Sequence, residues 1–316
     1  MARPLASSAS PFLWATQWRP TSITVRRLAL ASLIANIVIV STGGLVRLTS
    51  SGLGCPSWPD CSPGSLVPTN QLSWHKGIEF GNRMLTYVVV AAVVAVFIAV
   101  SRAQPRREEV RRWAWVTLLG VPAQIVLGGV LIYTKLNPFA VAAHFMLSMS
   151  LIAAATVLWW LTREIPATPL PPQPMTPALL RRLGLATWAL TFVVFVVGTL
   201  VTGSGPHAGD PKAVRLHLQS RAISQLHADL VMLLVGLAVA LAVCLTAIGA
   251  PPVARRAGQL LVAVLAGQAA IGFAQYFSGL PIPLVELHVT GAALLAAAST
   301  AVVLALSEPG VPVTHM

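Results

Sequence analysis

Two stretches of this 316-residue chain can be laid over one another: QIVLGGVLIYTKLNPFAVAAH at 124–144 and QAAIGFAQYFSGLPIPLVELH at 268–288. Each opens on a glutamine, has a glycine four residues on, passes through proline and closes on a histidine 20 residues after the glutamine. The matching positions are Gln124, Gly128, Pro138 and His144 in the first copy. In the second they are Gln268, Gly272, the pair Pro281 and Pro283, and His288. A polar ring kept twice inside an apolar run costs free energy unless it has a partner, so the repeat marks more than an enlarged bundle.

The repeat extends outward from these stretches. Gly43-Gly44-Leu45-Val46 runs into a turn at Gly52 and Gly54, and Gly198-Thr199-Leu200-Val201 runs into Gly203 and Gly205. At the same offset, to within one residue, Asn82 corresponds to His227. A membrane span needs about 20 apolar residues. Eight runs qualify, near 28–46, 80–101, 113–133, 139–161, 183–201, 223–248, 258–277 and 284–305. Both halves start from the same side, so the repeats are parallel. The fold expected is an all-α integral membrane protein of eight transmembrane helices, arranged as two parallel-repeat four-helix bundles. Its parts are a tail at 1–27, a four-helix half at 28–162, a linker at 163–182, a second half at 183–306 and a tail at 307–316.

Composition agrees. Hydrophobic residues make up 56% of the chain and charged residues 9%, against about 25% charged in soluble domains. The net charge of +12 does not indicate nucleic acid, because the basic residues cluster in short segments between apolar runs. Of the 21 Lys and Arg, 14 fall in the N-terminal tail and the second, fourth and sixth connections. That side is expected to be cytoplasmic, with both termini inside and the first span an uncleaved anchor.

The opposite connections, 47–79, 134–138, 202–222 and 278–283, then face an oxidising compartment. Cys55 and Cys61 lie in the first of them, six positions apart. A structural disulfide is the favoured reading there, and a reactive dithiol the alternative. Cys244 lies in an apolar run and reads as packing.

His144, His227 and His288 lie at one depth on alternate spans. Three inward imidazoles at one level suggest axial ligation of haem between helices. Zinc would want a compact fourth ligand. In the second span His75, Glu79 and Asn82 share a face at 100° per residue. Glu79 reads equally as a salt-bridge partner for Arg83 or Lys76 and as a proton acceptor in a half-apolar site. Arg47, Arg83, Arg215 and Arg221 are candidate contacts for haem propionates, or interfacial anchors.

The first outer loop reads Gly44-Leu45-Val46-Arg47-Leu48-Thr49, Ser51-Gly52-Leu53-Gly54-Cys55-Pro56 and Trp58-Pro59-Asp60-Cys61. The third reads Thr202-Gly203-Ser204-Gly205-Pro206-His207-Ala208-Gly209-Asp210. Together with the spans and histidines, over about 28–305, these strings resemble the haem A synthase family. The resemblance implies oxidation of the C8 methyl of haem O to a formyl group, giving haem A for terminal oxidases. It implies that Glu79 is the essential carboxylate and that His144 is a ligand of the substrate haem. It implies that His227 and His288 hold a haem b, and that Cys55 and Cys61 match the family's outer-loop pair.

The partners implied are haem O and haem A, membrane lipid, a haem O synthase and an electron-transfer protein, in a bacterial plasma membrane. Where the family pattern has a second histidine after Glu79, this chain has Asn82. Either His144 alone holds the substrate iron, which is the reading preferred, or His75 substitutes from about 10 Å further out at 1.5 Å per residue.

Two other function classes compete. A two-haem b-type electron carrier exchanging electrons with quinone would want two complete histidine pairs and has no need of Glu79. A transporter would place charged or unwound sites at mid-bilayer, whereas Asp229 and Glu286 lie near the outer edge.

Overall fold

The computed structural model describes residues 18–55, 57–69, 73–163 and 176–307. They form eight helices: α1 (Ser22–Leu48), α2 (Trp74–Arg102), α3 (Glu108–Tyr133), α4 (Pro138–Leu161), α5 (Ala178–Ser204), α6 (Ser220–Ala247), α7 (Pro252–Phe277) and α8 (Ile282–Ser307). Each is long and apolar enough to cross a membrane, and the chain is a multi-pass membrane protein. Segments 1–17, 164–175 and 308–316 of the expected tails and linker lie outside the described residues.

Every helix starts before its expected apolar run, and α1, α2, α5 and α8 outrun it at both ends, because a helix continues into the interfacial region for as long as its backbone bonds are satisfied. Capping residues set several of the starts. Thr21 accepts from the Thr24 N–H, Ser73 from Lys76, and Asn137 from Phe139 with Pro138 in the first turn. The α2 start at Trp74 matters most, since it places His75, Glu79 and Asn82 on regular helix.

Helices α1 to α4 close into one four-helix ring and α5 to α8 into another, with α1 and α4 of the first packed on α8, and α4 also on α5. Small side chains make up much of the seam, with larger ones such as Ile152 and Met149 packed among them. Ala293, Ala296 and Ser299 on α8 are fully buried, as are Ile152, Ala155 and Thr156 on α4. Lipid tails are as apolar as leucine, so close approach and dispersion hold these helices together rather than hydrophobic transfer. A Cβ at Gly120 would collide with Leu151, and one at Gly184 with Leu306. These glycines let α3 approach α4 and α5 approach α8 closely.

The repeat reaches the backbone. Lys135 and Leu136 have positive φ (50° and 60°), as do Gly279 and Leu280 (79° and 61°) at the same place in the second half. Leu136 N–H donates to Leu131 at 2.8 Å, and Leu280 N–H to Gln275 at 2.7 Å. The two hairpins α3–α4 and α7–α8 therefore turn alike, and this sets His144 and His288 at equal depth.

Candidate functional site

Asn82, His144, His227 and His288 lie six to eight residues inside the starts of α2, α4, α6 and α8. At 1.5 Å per residue that is about 10 Å below the loop-bearing end. In each of the three histidines Nδ1 is buried without a hydrogen-bond partner. Each imidazole lies against a glycine of the neighbouring helix. A Cβ at Gly128 would stand 3.8 Å from His144, at Gly272 3.5 Å from His288 and at Gly198 3.2 Å from His227. Half-buried imidazoles whose buried Nδ1 atoms have no partner, seated in glycine cradles between helices, have the donor chemistry to hold a haem iron.

The two halves differ where the repeat meets Asn82. Gly43 occupies the place of Gly198, and a Cβ there would meet nothing within 4 Å. The second half has an imidazole in the corresponding space. Asn82 is instead tied sideways, its Oδ1 accepting from Thr42 of α1 at 2.7 Å. His75 is turned toward the loop, its Nδ1 3.1 Å from the Ser51 hydroxyl.

His144 has a support that His288 lacks. Gln124 donates through Nε2 to the His144 carbonyl at 3.1 Å and to Ser148 Oγ at 2.6 Å, and Ser148 donates to the same carbonyl at 3.0 Å. The carbonyl only accepts, which fixes the amide orientation. Four residues after His288 the chain has Ala292 instead of serine.

Glu79 is 5% exposed. One oxygen accepts from Arg83 at 2.6 Å and the other from the Cys55 N–H at 2.6 Å. Of the two readings of Glu79, the ion pair forms with Arg83, and both carboxylate oxygens keep a second lone pair for a ligand. Arg83 also donates to the carbonyls of Cys55, Ser57, Pro59 and Asp60 at 3.1–3.5 Å. Cys55 and Cys61 form a disulfide with a Cα–Cα distance of 4.4 Å. The Trp58 ring covers Gly129 of α3, and its carbonyl accepts from Tyr133 at 2.7 Å. The first loop is thus pinned across α2 and α3, directly above the His144 half.

The remaining loops lock onto it. Arg47 donates to the carbonyls of His207 and Thr202 at 2.8 and 3.0 Å, and the Gly52 N–H to Gly209 at 3.0 Å. His207 Nε2 lies 3.0 Å from the Leu280 carbonyl. Arg215 donates to Pro206 at 3.0 Å. Arg47, Arg83 and Arg215 therefore all bind loop carbonyls.

Sequence reasoning missed Tyr133, Thr42 and Ser148, and read Trp58 only as part of the loop string, with no role of its own. It also missed a polar seam between the halves, where Thr290 bonds Ser41 at 3.0 Å and Glu286 abuts Gly44. The Gly128-Gly129 dipeptide was the one available signal for Trp58.

Comparison with known proteins gives a consistent picture. The chain is 34% identical over 144 residues to a haem A synthase of Geobacillus thermodenitrificans, covering 43% of each protein. It is 35% identical over 112 residues to one from Geobacillus kaustophilus, covering 35% of this chain and 34% of the relative. It is 29% identical over 231 residues to one from Sphingopyxis alaskensis, covering 63% of each. The chain thus spans between a third and two thirds of the length of these relatives. The COX15-CtaA family, described as cytochrome oxidase assembly protein, matches residues 26–78 and 76–300. A match of that extent places the chain in the COX15-CtaA family of cytochrome oxidase assembly proteins.

Proposed function

We propose that the protein is a haem A synthase, an oxidoreductase that converts the C8 methyl of haem O to a formyl group in a bacterial plasma membrane, with both termini cytoplasmic. The observation that carries this reading is the asymmetry between the halves. The second has two glycine-backed imidazoles, and the first has one imidazole, an open position and a buried carboxylate.

In this reading His227 and His288 would hold a haem b, and the chemistry it would supply there is electron transfer. Haem O is the substrate of the first half. His144 binds its iron from one side, steadied by Gln124 and Ser148. Asn82, held by Thr42, leaves the other side clear. Glu79 has its oxygens aimed by Arg83 and the Cys55 N–H, and uses a remaining lone pair to accept a hydrogen bond from the oxidised carbon's hydroxyl. The Trp58 loop excludes water from above. Arg47, Arg83 and Arg215 act first as loop anchors. Propionate binding falls to donors they retain.

The test is pigment extraction and chromatography from cells supplied with haem O. Haem A in the wild type, with haem O or its alcohol accumulating in Glu79→Ala, supports the assignment. Haem b alone in both overturns it and favours a two-haem electron carrier.

A further inference from the structure

Asn82 stands where the second half has His227, and the two side chains differ in length as well as in chemistry. An asparagine amide reaches as far as Nδ1 and Cδ2 of an imidazole and lacks the Cε1–Nε2 edge beyond them. It therefore stops short of an iron that a histidine at the same position would bind. Helix α1 does not fill the difference. A Cβ at Gly43 would meet nothing within 4 Å, whereas one at Gly198 would stand 3.2 Å from the His227 ring. Opposite His144 there is thus room for something small.

The amide is also held in one orientation. Thr42 precedes Gly43 on α1, and its hydroxyl lies 2.7 Å from Asn82 Oδ1 and 3.2 Å from the Ile39 carbonyl. The shorter contact occupies the acceptor end of the amide. The other end carries two N–H donors, and among the described residues no hydrogen bond engages Nδ2. A donor pair without a protein partner, on a half-buried side chain at the level of His144, calls for an acceptor from a ligand.

We propose that Asn82 donates a hydrogen bond through Nδ2 to a small polar ligand, of the class of water or a diatomic gas, on the open side of the substrate haem. The proposal rests on the reading of the first half as the haem O site. A fixed amide donor stabilises negative charge gathered on such a ligand, and Thr42 holds the amide so that no reorientation is needed. Leucine at this position would keep the side open and remove the donor, and histidine would close it.

The experiment uses the full chain in lipid nanodiscs, loaded with haem O and reduced under carbon monoxide, with the C–O stretching band read by infrared absorption. A haem held by both His227 and His288 has no free face, so carbon monoxide reports on the first half alone. A donor to the bound oxygen lowers the stretching frequency. Asn82→Leu is therefore expected to move the band to higher wavenumber, and Asn82→His to abolish carbon monoxide binding. An unaltered haem b band and thermal transition show that a variant has folded, and Asn82→Ala carries the same test if the leucine variant does not. The same band in wild type and in the apolar variants would overturn the donor and leave Asn82 as a tether between α1 and α2. Carbon monoxide binding to Asn82→His with the wild-type band would overturn its placement beside the iron. No carbon monoxide complex in the wild type would instead overturn the open-sided haem O site itself, and the proposal with it.

Discussion

The Glu79–Arg83 pair offers a quantitative test of how the first loop is held. Side-chain exposure is 18% for Arg83 and 6% for Glu79, so the pair is largely withdrawn from solvent. Removing one partner of a buried pair leaves an uncompensated charge, at a cost of about 3 kcal/mol. Arg83→Met strands Glu79 with a single N–H donor, and it also frees the carbonyls of Cys55, Ser57, Pro59 and Asp60. Glu79→Gln keeps the shape and leaves those carbonyl bonds intact. The two changes should therefore be unequal, with Arg83→Met the more damaging.

In a double-mutant cycle the coupling should be about 2 kcal/mol, since the double variant no longer strands a charge. Reversible unfolding in mixed micelles measures stability, and hydrogen exchange across 51–62 reports loop opening. Additivity within about 0.5 kcal/mol, or loop protection unchanged in Arg83→Met, would refute the claim that this pair pins the loop.

Four further outcomes are expected. Gly198→Ala places a methyl 3.2 Å from His227 and should shift the haem b absorption band, whereas Gly43→Ala, facing open space, should leave it unchanged; absorption spectra of both variants decide this. Ser148→Ala removes one of two side-chain donors on the His144 carbonyl and should perturb the spectrum of bound haem O while leaving haem b unaltered. Lys135→Gly puts glycine at a positive φ on an exposed turn, as the second half already has at Gly279, and should stabilise the fold by about 0.5 kcal/mol in the same unfolding assay. Cys55→Ser with Cys61→Ser opens a short cross-linked loop and should cost about 2 kcal/mol, with faster hydrogen exchange confined to the first loop.

The spans were legible because each is an apolar run of membrane length, and the repeat was legible because it keeps side-chain types at fixed spacing. His144, His227 and His288 emerged for the same reason, being polar groups where apolar ones are the rule. The arginines were read only in part. Their charge suggested anionic partners, yet Arg47 and Arg83 mainly meet backbone carbonyls contributed by distant loops. A carbonyl acceptor leaves no mark in the sequence, since every residue has one. The pairing of His75 with Ser51 and of Trp58 with Gly129 is equally invisible until the loop is folded over the bundle. Glu286 looked like an edge residue, and its place on the seam between the halves depends on α1 and α8 meeting.

The most direct test of the central claim is to supply purified wild-type protein in lipid nanodiscs with haem O, an electron-transfer partner and air, and to follow the extracted haem by chromatography over time. The account predicts conversion of haem O through its alcohol to haem A, while one haem b per chain persists unchanged. Tight binding of haem O with no oxidised product, under conditions where haem b cycles between its redox states, would contradict it.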